Sequence, residues 1–267
     1  MKYLLPLLLL FSGSLSAQES LTFGSKPFTE STILSELLAQ IASQNKFQAN
    51  HKDGLGGTGV LWTALVNGEI DAYVEYTGTL QFELFAKDGP KNFNETLVLM
   101  KKQGVSATAP FGFNNTYAIG IPEELAAERN IKTISDLAKH PDIKYGFTND
   151  FIDREDGWKK LREPYGLSND NVKGLDHALA YEAIAGGSIH VMDMYSTDAQ
   201  IKQYNLRTLI DDKSVFPEYK AIIVYRTALE KSHPTLITAF RSLEGQITDS
   251  QMVDLNARVI VDKLSES

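Results

Sequence analysis

Four tyrosines stand out by their neighbours. The chain has 11 tyrosines, and most could serve as half-buried structural rings. Tyr76 lies in Glu75-Tyr76-Thr77-Gly78-Thr79 and Tyr117 closes Asn114-Asn115-Thr116-Tyr117. Tyr195 opens Tyr195-Ser196-Thr197-Asp198, and Tyr219 follows Phe216-Pro217-Glu218. Each sits beside small hydroxyl, amide or turn residues rather than inside an apolar run. One such residue reads as structure. Four at strand ends read as a binding site, because ligands of open α/β sheets lie beyond the carboxyl ends of the strands.

Covalent chemistry finds less support. Neither G-x-S-x-G nor H-E-x-x-H is present. His51, His140, His177, His190 and His233 are scattered without metal-ligand spacing, and Asp211-Asp212 and Glu123-Glu124 read as solvated acids. No metal, cofactor or catalytic activity is expected. Gly54-Leu55-Gly56-Gly57-Thr58-Gly59 matches G-x-G-x-x-G, with Glu75 at a distance suited to a ribose partner. Against a dinucleotide stand the short helix after it and the signs of export below. The alternative is a tight glycine turn that lets backbone approach a strand or ligand.

The elements that must position these residues alternate. Strands are expected at Leu21–Gly24, Phe47–His51, Ile70–Tyr76, Tyr117–Ile121, Tyr145–Phe147, Val172–Leu175, Ile189–Met192 and Ala221–Tyr225. Thr29 is expected to cap a helix carrying Ile33, Leu34, Leu37, Leu38 and Ile41 on one face. Trp62, Leu65 and Val66 mark a short helix, and the chain ends in helices around Leu236–Leu243 and Met252–Ile260. The pattern gives an α/β fold with mostly parallel pairing.

Composition narrows the setting. The 26 basic and 34 acidic residues leave a net charge of −8, and no basic run is present to grip phosphates, so nucleic acid is excluded as a partner. Cysteine is absent, which removes disulfides, thiolate metal sites and lipid attachment. Lys2, the apolar run Leu4–Phe11, and Ser14, Ser16 and Ala17 have the layout of a secretory signal peptide over residues 1–17. Cleavage after Ala17 would leave Gln18 first, with cleavage after Ser16 as the alternative. The apolar run is far shorter than the ~20 residues that span a bilayer. An exported, periplasmic protein is expected.

Gly24-Ser25-Lys26-Pro27-Phe28-Thr29-Glu30 resembles the G-S-K-x-F-T-E opening of the osmoprotectant substrate-binding proteins, which serve ABC importers of glycine betaine, choline and carnitine. Leu55-Gly56-Gly57-Thr58, Gly68-Glu69-Ile70-Asp71 and Glu75-Tyr76-Thr77-Gly78-Thr79 are similar to that family's second block. Asn114-Asn115-Thr116-Tyr117, Asp153-Arg154-Glu155-Asp156-Gly157, Tyr195-Ser196-Thr197-Asp198 and Asp211-Asp212-Lys213 through Phe216-Pro217-Glu218-Tyr219 follow in order. The resemblance spans nearly the whole mature chain and assigns the glycine run to one of its blocks.

The resemblance implies a type II periplasmic binding protein fold, two α/β lobes joined by two crossing strands. Residues 18–113 and 217–267 would form lobe 1, and residues 114–216 lobe 2. A ligand would sit between lobes that close by hinge motion. Tyr76, Tyr117, Tyr195 and Tyr219 correspond to the family's four-tyrosine cage for a quaternary ammonium group, a diffuse cation that aromatic faces solvate well. Thr79, Asn115 and Thr197 would hydrogen-bond the ligand or order the cage. Ser31 stands where many relatives carry a carboxylate-binding Gln, and Asp193 precedes the cage tyrosine Tyr195. If Asp193 faces the cleft, ligands with a donor group or larger betaines such as ergothioneine are favoured over glycine betaine. Arg154 is the nearest candidate partner for a ligand carboxylate, with pairing to Asp150 or Asp156 as the equal alternative. The protein would act as a monomer that passes its ligand to the permease subunits. An enzyme on the same fold is the alternative from another class, with Glu75, Asp193 or Asp198 as acids but no nucleophile paired with a base.

Overall fold

The computed structural model describes residues 20–168 and 172–266. The leader read at residues 1–17 and its cleavage site lie outside the described residues.

Ten strands run through the described residues. They are β1 (Ser20–Gly24), β2 (Gln48–Lys52), β3 (Ala72–Tyr76), β4 (Val105–Ala107) and β5 (Tyr117–Pro122), then β6 (Tyr145–Thr148), β7 (Val172–Leu175), β8 (Met192–Tyr195), β9 (Leu206–Thr208) and β10 (Ala221–Arg226). The first lobe is built on a five-stranded sheet of order β2-β1-β3-β10-β4. The second is built on β8-β5-β9 and the pair β6-β7, tied to the β8 side by an isolated bridge from Tyr145 to Val191. β3 is buried at every position, as expected of a central strand covered on both faces.

The expectation of mostly parallel pairing is wrong. β1 pairs in parallel with β2 and β3, and β6 with β7. The ladders β3–β10, β10–β4, β5–β8 and β5–β9 are antiparallel. The reason lies in the two crossings. β3 and β8 end at the gap between the lobes, whereas β5 and β10 begin there after the chain has crossed. Each must therefore run against its neighbour, as the registers Ala221↔Tyr76 and Tyr117↔Tyr195 show. The crossing segments themselves are extended and touch once as strands, at the bridge Asn114↔Lys220. Asn115 N–H donates to the Tyr219 carbonyl at 3.0 Å and Tyr219 N–H to Asn114 Oδ1 at 2.7 Å.

Several boundaries also moved. The strand expected at Ile189–Met192 lies at Met192–Tyr195, and Ile189 is simply buried core. Helix α1 (Thr29–Gln44) starts one residue after its true cap, Phe28, which is extended at φ −148° and has no side-chain oxygen to offer. Helix α2 (Thr58–Asn67) follows Gly57, likewise without a side-chain cap, and ends at Gly68 in the left-handed region at φ 78°. Gly54 and Gly56 also have positive φ, 59° and 139°, so this run is a turn that only glycine makes without strain.

Candidate ligand-binding cleft

The antiparallel arrangement brings four strand ends to one place. Tyr76 ends β3, Tyr117 begins β5, Tyr195 ends β8, and Tyr219 lies two residues before β10. All four line a cavity of about 410 Å³, within the usual size for small-molecule sites.

Tyr117 is the centre of the aromatic wall. Its ring centroid lies 5.7 Å from Tyr195, 5.6 Å from Tyr219 and 4.8 Å from Phe151. Phe28 adds a ring 6.0 Å from Tyr195, and His177 stacks on Tyr195 at 4.8 Å and 23°. Tyr76 lines the same cavity without a ring pair to the other three among the described residues. The turn after β3 needs Gly78, because a Cβ there would lie 2.6 Å from the Tyr219 ring. Burial pushes the phenols of Tyr76, Tyr117, Tyr195 and Tyr219 up. The wall is therefore neutral at physiological pH and presents aromatic faces, the surface that stabilises a desolvated cation.

Charge sits at the other positions of the cavity. Lys26 Nζ bonds Glu75 Oε1 at 2.7 Å and Thr58 Oγ1 at 3.0 Å, and lies 5.7 Å from the Tyr76 ring centre. Gly57 and Thr58 place the uncapped start of α2 in the same wall, where backbone N–H groups and the helix dipole favour an anion. Arg154 holds Asp156 through two bonds, at 2.8 and 2.7 Å, and reaches across to Glu83 as an ion pair. Its guanidinium lies 5.8 Å from the Tyr117 ring centre. Tyr219 donates to Asp156 at 2.7 Å, which fixes the ring from behind.

A carboxylate ties these parts together. Glu30, 3% exposed, accepts from Tyr76 at 2.5 Å, Asn115 at 2.8 Å, Thr197 at 2.6 Å and Asn256 at 3.1 Å. Burial raises its pKa, and the four donors oppose that rise.

Of the residues named from the sequence, Tyr76, Thr79, Asn115, Tyr117, Tyr195 and Tyr219 line the cavity, and so does Arg154. Three do not. Ser31 is buried under the loop before α1 and accepts the Lys26 N–H at 2.9 Å. Thr197 faces a smaller chamber of about 200 Å³ behind Phe28 and Tyr195. Asp193 is fully buried and accepts the Thr148 N–H at 2.6 Å and hydroxyl at 2.7 Å. It shares a face of β8 with Tyr195 but lies two residues back, where it caps the end of β6 instead of meeting the cleft. Lys26, Phe28, Glu83, Asp150 and His177 also line the cavity and were not named. For Lys26 the signal was present, since a lysine in an otherwise polar-neutral stretch beside a strand end is a natural anion contact. A lone histidine gave none.

The family described as the substrate binding domain of ABC-type glycine betaine transport systems matches residues 19–267. An ergothioneine transport permease/ergothioneine binding protein of Helicobacter pylori is 34% identical over 93% of this chain, and the chain spans 46% of that relative's length. A glycine-betaine-binding protein of Pseudomonas aeruginosa is 33% identical over 95% of this chain and 86% of its own. A crystal structure of a glycine betaine/carnitine/choline ABC transporter superposes with a TM-score of 0.77 at 30% identity, covering 92% of this chain and 94% of the other.

Proposed function

The chain belongs to the family of substrate binding domains of ABC-type glycine betaine transport systems, and from that premise we propose that its cleft holds a quaternary-ammonium solute for delivery to an importer. The observation that carries this reading is the neutral tyrosine wall around Tyr117, open to a cavity whose other side carries Lys26 and the start of α2. A trimethylammonium group suits the wall. A carboxylate on the same ligand suits Lys26, Thr58 and the helix start. The ligand contacts are Tyr76, Thr79, Asn115, Tyr117, Tyr195 and Tyr219, with Lys26 and Arg154 toward the anionic end. Residues 18–113 with 217–267 act as one lobe and residues 114–216 as the other. The protein works in the periplasm after losing its first 17 residues, as a monomer that docks on permease subunits, and it carries out no bond chemistry.

Thermal shift with choline, glycine betaine, carnitine and ergothioneine tests the reading, since a ligand bound only by the folded state raises the melting temperature by mass action. At least one should raise it in a concentration-dependent way. No shift with any of the four would refute it.

A further inference from the structure

We propose that His177 makes solute binding proton-linked: its imidazolium and the solute's quaternary ammonium compete for one stretch of the tyrosine wall, so that filling the cage expels the histidine proton and acid expels the solute. The proposal rests on the importer reading above and adds an affinity-setting residue to that same site.

His177 lines both the main cavity and the smaller chamber. Its ring stacks on Tyr195 at 4.8 Å, so any charge it carries lies against a ring offered to the solute cation. Nε2 is 3.0 Å from Asp198 Oδ2. A carboxylate only accepts, so Nε2 keeps its hydrogen in both charge states, and the proton that comes and goes is the one on Nδ1. Nδ1 is buried and has no hydrogen-bond partner among the described residues. That proton is therefore held by surrounding charge and not by an acceptor.

The balance of that charge is close. Burial opposes the imidazolium, as does the place of His177 at the start of the helix His177–Ala185, whereas Asp198, Asp193 and Asp150 favour it. Asp198 also accepts the Tyr181 hydroxyl and the Tyr195 N–H, both at 2.8 Å, and Asp193 is shared with Thr148. Asp150 lines the main cavity beside His177. The other charges facing the two cavities are matched. Lys26 pairs with Glu75, Arg154 with Asp156 and Glu83, and Glu30 takes four donors. Among the described residues, no lysine or arginine forms an ion pair with the three aspartates around His177.

A trimethylammonium group in the cage supplies the cation that those aspartates otherwise draw from the imidazolium. It donates no hydrogen bond, so it competes through charge alone. With His177 protonated, the wall carries one more positive charge and repels the solute in a cleft where water screens little. With His177 neutral, the Asp198 charge is uncompensated and attracts it. Linkage is reciprocal, so the bound solute must lower the affinity of His177 for its proton by the same factor.

Calorimetry on the full chain is the test, with whichever of choline, glycine betaine, carnitine and ergothioneine gives the largest thermal shift, since all four carry a quaternary nitrogen. Affinity should be about three- to tenfold higher at about pH 8.5 than at about pH 5.5, on either side of the ordinary histidine pKa. Titrations near neutral pH, in buffers of unlike ionisation enthalpy, should show a fraction of one proton released per solute bound. His177→Gln keeps a donor for Asp198 but has no titrating proton, so it should flatten the pH dependence and abolish the release. Burial also raises the carboxyls of Glu30, Glu83 and Asp193, and any effect of theirs would persist in that variant. The titration midpoint of the assigned His177 resonance in wild type needs no variant, and it should fall by at least about half a pH unit at saturation. Equal affinities at the two pH values, no proton release, proton uptake, an unmoved midpoint, or a pH dependence that survives in His177→Gln would each overturn the proposal alone. Failure of every solute to bind at either pH would overturn the importer reading and this proposal with it.

Discussion

Thr197 and Glu30 are 167 positions apart in the sequence, and the Thr197 hydroxyl donates to Glu30 Oε2 at 2.6 Å. Glu30 belongs to the first turn of α1 in the first lobe, and Thr197 follows β8 in the second. The same carboxylate takes Tyr76 from β3 and Asn115 from a crossing segment. One buried carboxylate thereby ties elements of both lobes together.

If the lobes hinge apart as the resemblance implies, Thr197 leaves Glu30 on opening. Thr197→Val removes that bond and leaves the lining of the main cavity intact. Ligand affinity should fall by about tenfold, since a hydrogen bond to a charged group contributes about 1.5–3 kcal/mol. Small-angle scattering should show ligand-induced compaction in wild type and a higher ligand requirement in the variant. Identical affinities would mean that the bond forms equally well in the open state.

Tyr117 touches two other cage rings, so its loss should be felt most. Tyr117→Ala is expected to weaken binding by roughly 1–2 kcal/mol, about five- to thirtyfold, with Tyr117→Phe costing less. Calorimetry with glycine betaine and with 3,3-dimethylbutyrate, its neutral-carbon analogue, separates cation binding from shape. Equal affinity for the two would sink the cage.

Glu75 is fully buried, and its one ion-pair partner among the described residues is Lys26, at 2.7 Å. Lys26→Met should destabilise the fold by about 3–5 kcal/mol, because it strands a buried charge. Adding Glu75→Gln should restore part of the loss. Urea unfolding of the single and double variants gives the answer, and an undiminished single variant would show that water reaches Glu75.

His177 offers a pH test. Burial lowers its pKa, but Asp198, then Asp193 and Asp150, outweigh that and leave it raised above 6.5. A histidine raised on folding stabilises the protein fully below its ordinary pKa and loses that contribution as pH rises through the folded value. Wild type should therefore exceed His177→Gln in stability by more at about pH 5.5 than at about pH 8.5, on either side of the ordinary histidine pKa. A constant difference would show that His177 stays neutral.

The four tyrosines that share the cavity were legible because they sit beside small polar residues at strand ends, a local signal. Asp193 was misjudged because alternation along a strand gives the face of a residue but not whether the sheet has already ended beneath it. The role of Glu30 was invisible. Its donors come from positions 76, 115, 197 and 256, and no window of sequence holds more than one of them. Strand direction failed for a similar reason, since it depends on which end of a sheet the chain reaches after crossing. β4 and β9 have three residues each, too few to show a period.

The strand order β3-β10-β4 has a kinetic consequence. The strand that joins β3 to β4 is made from residues 221–226, after the whole second lobe has been synthesised. Until it arrives, β3 has an open edge and β4 has no partner in the sheet, whereas the strands of the second lobe fall within 117–208 and can pair without waiting. Contacts of such long separation slow folding. A chain that emerges N-terminus first would thus complete its second lobe before its first.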